Sequence, residues 1–106
     1  DFTSTRLLPS AMFFIAEDYV MNAQKLDRAG STAKAKENYQ KAATILEGIK
    51  GNLPGMRVNT DCMLGECWYK LGQNENAIMY FQKVISEYPD SWQSSRARIF
   101  MEKLNK

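Results

Sequence analysis

The chain has no histidine, two cysteines and three prolines in 106 residues. Each scarcity excludes something. Without histidine it lacks the side chain most used for proton transfer near neutral pH and as a metal ligand. Cys62 and Cys67 alone cannot supply the four Cys or His ligands of a tetrahedral zinc site. Placed on one helix, their Cα atoms lie roughly 8.6 Å apart, beyond the roughly 7 Å that a disulfide spans. They read as small buried or half-buried thiols, and the redox compartment stays open. Long apolar runs are also missing, since the stretch Ala11 to Ala16 falls far short of the ~20 residues that cross a bilayer. Fourteen basic residues against twelve acidic ones give a charge of +2, with both signs mixed and no sustained basic stripe of the kind nucleic-acid binders carry. There is no glycine-rich phosphate loop, and the carboxylates fall at helix-surface spacing. The neighbouring pair Glu17 and Asp18 reads as a solvated helix face. Nothing assembles a nucleophile, a base or a metal, so neither catalysis nor a bound cofactor is expected. The chain begins at Asp1 without a methionine or a basic leader, which reads as a processed mature form or an excised fragment.

What is present is helical patterning. With 44% apolar and 25% charged residues, the composition is that of one soluble domain with one core. Pro9 and Ser10 open a segment free of glycine and proline up to Gly30, whose apolar positions Met12, Ala16, Tyr19, Ala23 and Leu26 recur every three or four residues. That predicts a first helix. After Gly30, Ser31 or Thr32 is placed to cap a second helix with the stripe Ala35, Tyr39, Ala42, Ala43 and Leu46, running to about Ile49, with Glu47 among its alternating surface charges. The segment Gly51 to Gly55 breaks it. A third helix from about Met56 carries Leu64, Gly65, Trp68 and Leu71 and stops at Gly72. Asn74 opens a fourth, with Ala77, Ile78, Phe81, Val84 and Ile85, which ends at Tyr88-Pro89. Ser91 caps a fifth, with Ala97, Phe100, Met101 and Leu104 on its apolar side. No strand pattern occurs.

The two hairpins share a grammar. Gly30, Ala35, Tyr39 and Ala42 in the first keep the spacing of Gly72, Ala77, Phe81 and Val84 in the second. Small residues at Ala23 and Gly65 let paired helices approach, and Leu26 and Trp68 fill the seam. Leu64, Gly65, Trp68, Gly72, Ala77, Phe81 and Pro89 resemble, in order and spacing, the signature of the tetratricopeptide repeat. The resemblance is nearly complete over about 58–91. It is degenerate over about 16–50, where Asn22 and Glu47 replace the usual leucine and proline. Ala35 and Ala77 are 42 residues apart, against the family's period of 34. The family implies an all-α, right-handed solenoid: two helical hairpins plus a capping helix over about 92–105, five helices in one domain spanning 1–106. The run Phe81 to Ser91 also resembles bacterial cell-envelope members of the Tol-Pal coordinator type and the outer-membrane assembly lipoprotein. That likeness implies a periplasmic or other exported setting, with a cytoplasmic one left open.

Solenoids of this kind bind peptides or helices of other proteins on the concave face formed by the first helix of each hairpin. Here the resemblance places Val20, Gln24, Asp27, Asn59, Met63, Glu66, Lys70 and Arg96 along that groove. Members that serve chaperones hold a terminal carboxylate with lysine and asparagine, and the equivalent places here hold Val20, Gln24, Cys62 and Glu66. That role is not implied. Phe13, Phe14, Val20 and Met21 lie off the stripe of the first helix and widen its apolar surface, as contact patches do. Phe13, Phe14 and Met21 are therefore expected to mediate self-association or docking. Protein is the expected partner, and a scaffold or assembly subunit of a multiprotein complex is preferred over a free-standing peptide receptor.

Overall fold

A computed structural model describes residues 8–105, apart from the Pro54 side chain; residues 1–7 and 106 of the expected domain, Leu7 included, lie outside the described residues. The elements are α1 (Pro9–Arg28), α2 (Thr32–Ile49), a 3-10 turn (Pro54–Met56), α3 (Arg57–Lys70), α4 (Asn74–Glu87) and α5 (Trp92–Leu104). All five expected helices are present, and the described residues contain no strand.

The two hairpin bends are the same device. Gly30 and Gly72 have φ of 85° and 80°, a left-handed conformation that costs glycine little. This lets the Gly30 N–H donate to the Asp27 carbonyl (3.0 Å) and the Ser31 N–H to that of Leu26 (2.8 Å). The second bend repeats this, with Gly72 donating to Tyr69 (3.1 Å) and Gln73 to Trp68 (2.8 Å). Each pair satisfies carbonyls that the helix end would otherwise leave open. The expected cap of α2 does not form, and α4, which opens at Asn74 as expected, has no side-chain cap either. Ser31 and Gln73 hold the cap places without side-chain bonds, at ψ of 64° and 74°, short of the extended backbone that aims a capping oxygen at the helix. Ser91 has that backbone (ψ 156°), and its Oγ accepts from the Ser94 N–H at 3.1 Å.

Each helix packs on the next in sequence, and α3 also meets α5. Between α3 and α4 the seam closes at Gly65. A Cβ there would lie 2.6 Å from Phe81 Cε1, so the Phe81 ring fills the space of a side chain. Beyond it the Phe100 ring of α5 stacks on Phe81 at 5.1 Å, and Tyr69 meets Phe100 edge-on at 5.1 Å. One aromatic column thus joins three helices. At α5 the seam stops. Ser95, Arg98 and Glu102, all exposed, stand 34 residues after Asp61, Leu64 and Trp68, so the outer face of α5 is polar apart from the exposed Ile99.

The two hairpins are joined through Glu47. Trp68 Nε1 donates to it at 3.1 Å, the Tyr80 hydroxyl at 2.7 Å, and Lys50 pairs with it at 2.8 Å while also donating to the Tyr80 hydroxyl at 2.8 Å. Expected as a surface charge, Glu47 is instead the knot between α2, α3 and α4. Burial raises its pKa, but the hydrogen bonds from Lys50, Tyr80 and Trp68 outweigh that and hold it below the ordinary carboxylate value. With no proline at this place, α2 runs to 18 residues against 14 for α4, which accommodates part of the longer period.

The stripe on α1 is wider than its periodicity indicates. Met12, Tyr19 and Leu26 are only half-buried, whereas Phe13, expected on an outer patch, is 3% exposed, and Val20 is also buried. The buried residues Phe13, Ala16, Val20 and Ala23 recur at three and four residues, a register turned by one position from Met12, Tyr19 and Leu26. Asp61 has no such explanation. It is 4% exposed and its Oδ2 lacks a hydrogen-bond partner; burial raises its pKa against the pull of Lys83, 4.0 Å away, and of Arg57.

Two outcomes follow for stability. Gly65→Ala forces a methyl into the Phe81 ring and is expected to cost about 1–3 kcal/mol in urea unfolding, part of which Phe81→Leu restores. Glu47→Gln weakens the contacts with Trp68, Tyr80 and Lys50 and is expected to cost about 1–3 kcal/mol at neutral pH. Because Glu47 has a lower pKa folded than unfolded, its stabilisation is complete above the ordinary carboxylate range and fades as pH falls through the folded value. The gap between wild type and variant should therefore close in acid.

Candidate partner-binding groove

The concave face is built by α1, α3 and α5, which run in the same direction. α1 is held by α2 and stands off from α3, so the face is cleft rather than closed. Two adjoining depressions result. The first, about 300 Å³, lies over the N-terminal halves of the three helices, lined by Phe13, Val20, Met21, Cys62, Met63 and Trp92 with Glu17, Gln24, Asn59, Glu66, Gln93 and Arg96 around them. The second, about 370 Å³, lies over their C-terminal halves, between Asp27, Arg28, Tyr39, Lys70, Phe100 and Lys103, and shares Gln24, Glu66 and Arg96 with the first.

A salt bridge forms the partition. Arg96 donates to Glu66 through Nε and Nη2, both at 2.7 Å, a two-pronged geometry that fixes both side chains. The pairing with Glu66 raises the Arg96 pKa further, and the guanidinium lies 5.5 Å over the Phe100 ring. Across the second depression Lys70 reaches Asp27 at 3.8 Å, linking α3 to α1. Two apolar rims flank the first depression: Met21 is 51% exposed and Trp92 69%.

The ionisable groups of the floor are quiet. Burial and the nearby Glu66 push the Cys62 thiol up to about 12, and burial does the same for Cys67. Both cysteines are free and protonated at neutral pH, which makes them poor nucleophiles. Burial, then Asp27, pushes Tyr39 up to about 12. Among the described residues no cluster of three or more Cys, Asp or Glu is placed to hold a metal, and no helix is long and apolar enough to cross a membrane. The arrangement offers shape, apolar surface and fixed charge.

All eight groove residues expected from the resemblance line these depressions. Val20 does so as a buried floor residue. The three patch residues separate: Phe13 belongs to the core, Met21 to the groove rim, and Phe14, 59% exposed, to the outer surface, its ring edge-on to Phe13 at 5.9 Å. Glu17, Arg28, Tyr39, Trp92, Gln93, Phe100 and Lys103 line the groove without having been assigned to it. For α5 the signal was available. Gln93, Arg96, Phe100 and Lys103 fall 34 residues after Asn59, Cys62, Glu66 and Tyr69, so α5 lends the groove positions that correspond to those of α3.

Residues 63–91 match the family model described as tetratricopeptide repeat. Repeats of this family generally mediate protein–protein interaction and are typically non-enzymatic. Neither the curated proteins nor the solved structures gave a match.

The split of the aromatic pair is testable. Phe13→Ser is expected to cost about 3–5 kcal/mol, as for a buried aromatic, and Phe14→Ser within about 0.5 kcal/mol of zero, both read from denaturant unfolding.

Proposed function

We propose that this chain, with its tetratricopeptide repeat at 63–91, is a non-enzymatic protein-interaction module that acts as an assembly or scaffold subunit of a multiprotein complex. The observation that carries the reading is the three-helix groove, in which the eight expected residues converge between the exposed rims Met21 and Trp92. An open apolar floor with polar and charged walls is a surface for another chain. The scaffold form is supported by apolar side chains exposed away from the groove, Phe14 on α1, Met79 on α4 and Ile99 on α5. A receptor that needs only its groove has no use for them, whereas a subunit with several neighbours does. The alternative is a free-standing peptide receptor, supported by the groove alone. A cell-envelope setting for either is supported by the likeness of the run Phe81 to Ser91.

The test is affinity capture from the source cells, comparing the intact chain with Met21→Asp combined with Trp92→Asp, two exposed substitutions that leave the fold in place. The expected result is one set of proteins in fixed ratio, co-eluting as a single large complex and lost with the double variant. Many short-lived clients would favour the receptor, and equal recovery by both chains would remove the groove from the account.

A further inference from the structure

We propose that the groove selects an acidic segment of its partner and seats it in one direction, with an apolar side chain in the first depression and carboxylates in the second. This rests on the groove being the binding surface. It adds which chemistry the groove accepts and which way round.

Along the groove the charges are partly spent on one another. Lys70 faces Asp27 at 3.8 Å and Arg96 grips Glu66 at 2.7 Å. Among the described residues this leaves Arg28 and Lys103 without a carboxylate within ion-pair distance, both exposed and both lining the second depression. In the first depression Glu17 is the charge left over. The groove therefore holds two unpaired cations at one end, and at the other a single unpaired carboxylate, close to helix N-termini that offset it, beside the apolar Met21 and Trp92.

Three helix C-termini also point at the second depression, each worth about half a negative charge and decaying within the last turn. That reduces the surplus of the two cations without reversing it. Moreover, the last carbonyls of α1 and α3 are already engaged by the N–H groups at the glycine bends. A carboxylate arriving between Arg28 and Lys103 meets two exposed donors and no facing acid except those already paired.

The spacing sets the length of the segment. Met21 to Arg28 is two turns of α1, about 10 Å, and Trp92 to Lys103 on α5 is about 16 Å. An extended chain covers that in about three to five residues. The fitting sequence is an apolar residue followed, after that interval, by Asp or Glu.

The probe is a fluorescein-labelled peptide with one phenylalanine followed four residues later by two glutamates. The controls carry lysines in place of the glutamates, serine in place of the phenylalanine, or the reversed order. By fluorescence anisotropy at low salt the intact chain should bind the probe about tenfold more tightly than the lysine control, as two exposed ion pairs replaced by repulsion imply. The serine and reversed peptides should fall below the probe, and the preference should shrink between about 0.05 and 0.3 M salt. Arg28→Glu with Lys103→Glu should invert the order of the acidic and lysine peptides. Equal or tighter binding of the lysine peptide by the intact chain overturns the proposal. If that binding is still lost with Met21→Asp and Trp92→Asp, the groove reading survives and the charge assignment alone fails. No binding by any of the peptides also overturns the proposal, and the capture experiment then decides the groove separately.

Discussion

The structure depends on how closely α3 can lie against α4. At Gly65 the Phe81 ring takes the place of a side chain, and the two backbones close on it. Phe81 is thereby positioned to receive Phe100 on its far face, which fixes α5, and with α5 the whole second wall of the groove. A single missing Cβ thus sets the distance between two helices and the placement of a third. Arg96 and Lys103 reach the concave face because Phe100, between them in sequence, is anchored in this column. The same ring receives Arg96 and Lys103 above its face, at 5.5 and 5.2 Å, a favourable setting for a cation.

The joint between the hairpins is of another kind. Apolar packing runs through all the seams, with Leu46, Ile49, Leu64, Cys67 and Tyr80 in one core cluster, but α2 also meets α3 and α4 through a carboxylate with three donors. A partly buried ion of this sort is worth keeping only when its partners are in place, and here Lys50, Tyr80 and Trp68 all are. Apolar seams tolerate sliding, whereas the directional contacts of Trp68 and Tyr80 with Glu47 and of Tyr80 with Lys50 do not, so this knot fixes the register of one hairpin on the other.

Helix order, the two glycine bends and the seam residues of the second hairpin were legible from periodicity and spacing, because local physics dictates them. The groove was legible where the resemblance supplied a register, and Val20, Gln24, Asn59, Glu66 and Arg96 do line it. Three things were not legible, each for its own reason. Phe13, Ala16, Val20 and Ala23, the buried residues of α1, recur at three and four residues just as Met12, Tyr19 and Leu26 do with the same alanines, so periodicity alone does not choose between the two registers. Glu47 reads as one more surface charge until α3 and α4 bring it an indole and a phenol. The Ser31 cap fails because the glycine bend before it fixes a backbone angle that single-residue preferences ignore.

The longer period of the first hairpin then bears on binding. A repeat of ordinary length would end α2 earlier, with the next first helix set directly against α1. Here α2 runs on to Ile49, a glycine-rich turn and a 3-10 segment follow, and α3 begins only at Arg57. α1 and α3 stand apart, with the Lys70–Asp27 pair spanning the gap at one end and Met21 and Trp92 edging it at the other. The 42-residue spacing of the two hairpins and the open floor are on this account one feature: the extra residues hold two walls apart, and the cleft between them is the surface on which the proposed function rests.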